Sequence, residues 1–163
     1  MQIHQINTQD FLVRLEAVYG ADAKRQQERY SALAESFKKD FGENKDVRFF
    51  SAPGRTEVGG NHTDHNNGKV LAAAINLDAV AAVSAREDSI ICVNSEGYSP
   101  ICVDSADLEI KDEEEGKSNA LIRGICARFG QLGYKYGGFN ASVTSRVLSG
   151  SGLSSSSAYE VLI

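Results

Sequence analysis

Near the N-terminus, apolar residues recur at helical spacing. Phe11, Leu12, Leu15 and Val18 share one face behind Asn7 and Asp10, which predicts a helix opening at Asn7 with that face inward. A second helix is predicted from about Asp22, with Tyr30, Leu33, Phe37 and Phe41 at i, i+3, i+7 and i+11 and Gly42 placed to end it. From Val47 the pattern shortens. "VRFFSA", "KVLAAAI", "LDAVAAVSAR", "SIICVNS" and, after Pro100, "ICVD" are β-branched or small-residue runs between polar turns, and each predicts a strand.

Helical spacing returns in "SNALIRGICARFGQLG", with Leu121, Ile125, Phe129 and Leu132 on one face and Gly133 at the end. "GGFNASVTSR" then alternates Phe139, Ala141, Val143 and Ser145, a strand with one buried face. Strands and helices in this mixed order predict a two-layer α/β domain.

Length and composition narrow the class. At 163 residues, 42% hydrophobic and 24% charged, the chain suits one globular domain with a sizeable core. Its longest apolar stretch, Val70 to Ala85, is interrupted by Asn76, Asp78 and Ser84, so no membrane span is expected. The polar N-terminus carries no secretory core, and a cytoplasmic location is the expectation. A formal charge of −5 argues against a nucleic-acid partner, and "DEEEG" at 112–116 reads as a solvated loop. Cys92, Cys102 and Cys126 form no C-x-x-C pair, so buried free thiols are expected.

Two segments carry candidate chemistry. In "VLSGSGLSSSSAYEVLI", residues 147–163, Gly150 and Gly152 permit positive φ and close approach of amides to a ligand. Ser154 to Ser157 then open a helix whose free N–H groups and dipole favour an anion. The alternative is a flexible loop whose serines cap the helix. No lysine follows the glycines and Ser155 stands where a third glycine belongs, so neither a Walker A loop nor G-x-G-x-x-G is present.

The second segment, "SAPGRTEVGGNHTDHNNGK", residues 51–69, gathers Arg55, Glu57, Asn61, His62, Asp64 and His65 in what Pro53-Gly54 and Gly59-Gly60 mark as a shaped loop. Its many donors and acceptors suit a ligand with many hydroxyls. H-x-D-H could instead ligate zinc, and a plain polar turn is the third reading. Arg55 can stabilise charge developing on a transferring phosphoryl group.

Together these segments resemble a known family. "APGRTEVGGNHTDHNNGKVL" resembles the galactokinase signature A-P-G-R-x-N-L-I-G-E-H-T-D-Y-N-x-G-x-V-L, and "GSGLSSSSA" resembles the phosphate motif of the GHMP small-molecule kinases. "SNALIRGI" and the strand-opening "GF" between them fit as well, so the resemblance runs from Ala52 to Ile163. It implies a mixed-sheet N-terminal domain of the GHMP kinase type over 46–163, behind a helical segment at 1–45. It also implies that the family's C-terminal ferredoxin-like domain is absent from this chain.

By the same resemblance the activity is transfer of the ATP γ-phosphate to the anomeric hydroxyl of galactose, with Mg²⁺ as cofactor. Arg55 matches the arginine that steadies the transition state, and Asn61, His62, Thr63 and Asp64 match the sugar-binding segment. Gly150, Ser151, Gly152, Leu153, Ser154, Ser155 and Ser156 match the ATP phosphate loop, with Ser156 at the Mg²⁺-coordinating position. Ser95 matches a serine near the nucleotide base.

The family's catalytic aspartate and second Mg²⁺-ligating glutamate fall beyond the phosphate loop, which implies that these residues alone are inactive. Tyr159, Val161, Leu162 and Ile163 are then expected to lack partners, favouring self-association. Glu57 replaces an asparagine, Asn61 a glutamate, His65 a tyrosine and Leu148 a proline. Asn61 and His65 leave open a related kinase for another sugar, and a non-catalytic sugar sensor with the same N-terminal half is a third reading.

Overall fold

The computed structural model describes residues 3–43, 46–60, 63–150 and 152–163, without the side chains of His4, Asp64 and His65. Helix α1, Gln9–Tyr19, is capped by Thr8, whose hydroxyl accepts the Phe11 N–H at 3.3 Å, so the cap falls one residue after Asn7. Its buried residues are Phe11, Leu15 and Tyr19, at i, i+4 and i+8. Val18, expected inward, is 65% exposed, because the stripe closes on Tyr19 instead. Helix α2, Ala23–Phe41, buries Tyr30, Leu33 and Phe37, with Phe41 half-buried. Gly42 ends it at φ 83°, returning its N–H to the Lys38 carbonyl at 2.9 Å.

Five strands form one mixed sheet: β1 Arg48–Gly59, β2 Leu71–Ala85, β3 Ile90–Ser95, β4 Ile101–Asp104 and β5 Phe139–Ser145. Their order is β1-β2-β5-β3-β4, and only the β3–β5 pair is parallel. The runs expected as separate strands at 69–75 and 77–86 fuse into β2. The segment expected to be a loop from Ser51 continues as β1 to Gly59, with Pro53 at a register shift on this edge strand, where a missing N–H is tolerated.

Along Asp78 to Ala82 the sheet is covered on both faces, which explains the small residues of that part of β2. Val80 and Ala82 join Phe11, Tyr30, Leu33, Phe37, Val47 and Phe49 in a core under α1 and α2. Ala81 faces the other way, among Ile91, Val93, Val103, Ile122, Cys126, Ala141 and Val143. That second core lies beneath α3, Ser118–Gln131, and α4, Ser155–Leu162. The sheet with α3 and α4 makes the two-layer unit, and α1 and α2 close its opposite face. In β5, Ala141, Ser142 and Val143 are all buried, so its expected single buried face becomes two. Ser142 donates to Asp40 of α2 at 2.9 Å.

Several expectations need correction. Helix α3 buries Ile122, Arg123 and Cys126, while Phe129 and Leu132 are 45% and 53% exposed. Glu114 of the acidic run is not a solvated charge, because it receives Arg123 through Nε at 2.8 Å and Nη2 at 3.2 Å. Arg123 also donates to the carbonyls of Asp104 and Asp107, tying that segment to α3. Cys92 and Cys102 face each other across the β3–β4 hairpin and form a disulfide, leaving Cys126 as the free thiol. Tyr159, Leu162 and Ile163 pack against the second core, so of the four residues expected to lack partners only Val161, 76% exposed, stands free of the core. Among the described residues no helix is long and apolar enough to cross a membrane.

Candidate functional site

Strand β5 delivers the chain to the glycine-serine loop. Val147 is buried, and its N–H is accepted by the Ser145 hydroxyl at 3.1 Å, which fixes the loop's entry. Gly150 and Gly152 then take φ 74° and 73°, the conformation for which glycine is suited. Ser154 follows at φ 59° and ψ 49°, a left-handed conformation costing a serine about 1 kcal/mol or more. Its hydroxyl makes no capping bond, while its carbonyl accepts the Ala158 N–H at 2.9 Å. The capping role weighed for these serines is thus not taken up at Ser154. Ser155 is half-buried and Ser156 exposed; Ser151 lies outside the described residues.

The polar segment meets this loop through main chain. Arg55 donates its N–H to the Leu153 carbonyl at 3.1 Å. A Cβ on Gly54 would stand 2.9 Å from that carbonyl oxygen and 3.0 and 3.1 Å from the Val147 methyls, so the approach requires glycine. Arg55 and Glu57 lie opposite Ala74 and Ala72 of β2, so neither is overshadowed by a large cross-strand neighbour. The Arg55 Nη1 atom is 3.4 Å from Glu57 Oε2, with side chains 32% and 10% exposed.

Beyond Gly59 a turn returns the chain to β2. Gly60 has φ 109°, and a Cβ there would meet Lys69 and Val70 at 2.7 Å. Thr63 is exposed, donates its N–H to the Gly60 carbonyl at 3.2 Å and accepts the Gly68 N–H at 2.8 Å. Asp64 lies in the short 3₁₀ turn Thr63–Asn66. Asn61 and His62 lie outside the described residues, so the zinc reading of H-x-D-H does too; among those described, no cluster of three His, Cys, Asp or Glu could hold a metal.

Ser95 ends β3 beside Val143 and lies against the buried Tyr159 hydroxyl of α4 rather than against the loop itself. Burial pushes the Tyr159 phenol up, opposed by the Ser95 hydroxyl. Cavities of about 230 and 340 Å³ lie on the α1 side of the sheet, lined by Tyr19 and Ser51, and touch neither Arg55 nor the loop. Two participants in the site were not singled out from sequence: Gly54, as the point of contact with the loop, and Glu57, as the partner of Arg55. Their signal was local, a glycine and a carboxylate flanking the arginine.

The chain resembles known proteins in signature, sequence and fold. Residues 35–85 match the galactokinase galactose-binding signature. The chain is 34% identical to the galactokinase of Lactococcus lactis subsp. lactis (strain IL1403) over 136 residues, 82% of this chain and 34% of that protein. The crystal structure of Lactococcus lactis galactokinase complexed with galactose superposes with a TM-score of 0.73 at 35% identity, covering 81% of this chain and 34% of that one. Mevalonate kinase of Methanococcus jannaschii shares the fold, with a TM-score of 0.58 at 15% identity over 74% of this chain and 39% of that one. The chain spans about a third of the length of the curated relatives it matches. The chain carries the galactokinase galactose-binding signature and, in sequence and fold, corresponds to about a third of a galactokinase.

Proposed function

We propose that this chain supplies the sugar segment, 51–69, and the phosphate loop, 147–158, of a kinase that transfers the ATP γ-phosphate to the anomeric hydroxyl of galactose. One observation carries the reading. The Arg55 N–H bond to Leu153 and the close approach of Gly54 hold the two segments edge to edge, where a phosphoryl group passing between sugar and ATP has to lie. The galactose bound in the Lactococcus lactis relative supports the choice of sugar.

In this reading the amides of Gly150 through Ser156 and the α4 N-terminus hold the triphosphate. The positive-φ backbone of Gly150, Gly152 and Ser154, with the Ser154 hydroxyl not engaged in capping α4, fits such an anion. Mg²⁺ usually takes one or two protein oxygens and completes its shell with phosphates and water, and the exposed Ser156 hydroxyl suits that share. When bound, it neutralises charge on the transferring phosphates. Arg55 steadies the charge of the transition state, and Asn61, His62, Thr63 and Asp64 receive the sugar hydroxyls. Ser95, a neighbour of α4, bears on the nucleotide only through that helix. We place the protein in the cytoplasm, with a free sugar and ATP as its partners.

Phosphorylation assays on the whole protein with galactose, its epimers and their N-acetyl derivatives test this. Galactose is the expected substrate. Transfer to another sugar alone would move the reading to a related kinase, the direction in which Asn61 and His65 point. Tight sugar and ATP binding without any transfer would establish a sensor instead. Residues 1–163 by themselves are expected to bind ATP without turnover, and ADP release on adding galactose would refute that.

A further inference from the structure

The Arg55–Glu57 pair occupies the place where the two motifs meet. Both residues project from one face of β1, two positions apart, over the alanines at 72 and 74. Main-chain bonding to Leu153 fixes the root of the Arg55 side chain beside the loop. Its guanidinium is a third exposed, while the carboxylate facing it at 3.4 Å is a tenth exposed. The arginine therefore reaches solvent with its charge largely cancelled by a neighbour that solvent screens poorly.

We infer that Glu57 is a positioning residue that competes with the phosphate ligand for Arg55, holding the guanidinium on the strand until an anion in the 150–156 loop draws it away. This rests on the loop being a phosphate site. The consequence is a built-in penalty on anion binding: part of the attraction between Arg55 and a phosphate offsets the loss of the Glu57 pairing. Glu57 thereby sets how tightly the site holds phosphates, and how steeply that grip depends on salt.

Calorimetric titration of residues 1–163 with inorganic pyrophosphate and with MgATP, at several salt concentrations, tests the inference. Glu57→Gln is expected to bind pyrophosphate roughly threefold to tenfold tighter, with a steeper salt dependence. In an Arg55→Gln background the same change is expected to have no effect, since the competition has lost its object. An unchanged or weaker affinity in Glu57→Gln overturns the inference. So does an equal gain in both backgrounds, which would reduce Glu57 to a distant negative charge. Glu57→Asp, which keeps the charge but draws it back, is expected to give an intermediate gain, and it carries the test if the Gln variant does not fold by circular dichroism. If the unaltered chain binds neither probe, the phosphate-site reading itself falls and takes this inference with it.

Discussion

Arg29 of α2 grips Asp78 of the interior strand β2 at 2.6 Å, with the two side chains 12% and 4% exposed. Asp78 also accepts the hydroxyls of Tyr19 and Ser51, each at 2.5 Å, so α1, α2 and β1 all converge on one carboxylate. The second guanidinium nitrogen of Arg29 bonds the carbonyls of Asp78 and Thr144 at 3.0 and 3.1 Å, reaching β5. Burial, reinforced by the bond to Asp78, pushes the Tyr19 phenol far above its ordinary range.

Removing one member of such a pair leaves a desolvated charge behind. Asp78→Ala is expected to cost about 3–5 kcal/mol in chemical denaturation, whereas the paired change Arg29→Met with Asp78→Leu costs markedly less. A loss below 1 kcal/mol in the single variant would show the carboxylate to be a bystander.

Acid sensitivity has an identifiable source at the start of α2. Arg25, then Gln26 and Arg146, bond the Asp22 carboxylate and lower it to about 2. A carboxyl depressed on folding stabilises the native state fully above its unfolded value, about 4, and loses that contribution as pH falls through the folded value. Asp22→Asn is therefore expected to lower the unfolding midpoint at pH 6 and to flatten its decline between pH 4 and pH 2. Parallel pH profiles for the variant and the parent would remove Asp22 from the account.

The elements were legible where their signal was local. Large apolar residues at helical spacing, such as Tyr30, Leu33 and Phe37, marked α2 because a single face of that helix is apolar. Helix α3 is apolar most of the way round, so periodicity chose Leu121 and Phe129 where packing chose Ile122 and Cys126. Tyr19 was invisible because its burial depends on Asp78 and Tyr30 waiting at its hydroxyl, a relation between distant positions. Pro53-Gly54 read as a turn since both residues usually break strands, yet an edge position tolerates the proline and the loop beside it demands the glycine. Each site segment was legible alone. The contact that joins them was not, because it is set by sheet register.

The hairpin register also determines cysteine chemistry. Cys92 and Cys102 pair across β3 and β4 and are bonded, while Cys126 is 5% exposed and its thiol is pushed up by burial. Thiol titration of protein kept free of reductant is expected to find no reactive thiol in the native state, one after denaturation, and three once reductant is added. Opening this short loop removes about 2–3 kcal/mol by the chain-entropy argument, seen as a lower denaturation midpoint. Three thiols in the unreduced, denatured protein would overturn the pairing.

Gly54→Ala isolates the contact between the motifs. The added methyl would stand 2.9 Å from the Leu153 carbonyl oxygen and about as close to the Val147 methyls, so main chain has to move. Val147 is anchored in the interior, whereas Leu148 to Gly150 are exposed and Ser154 is held at positive φ, so the displacement falls on the loop. The Arg55–Leu153 bond lengthens, and the loop amides proposed to hold the triphosphate lose their arrangement. The expected result is a loss of MgATP affinity of about tenfold or more at a stability cost of about 1–3 kcal/mol. Gly150→Ala separates this from general loop strain, because a Cβ there meets nothing within 4 Å and its penalty comes from φ 74° alone. If the Gly54 variant bound ATP as the parent does, the contact would be structural packing and the carrying observation for the proposed kinase site would be lost.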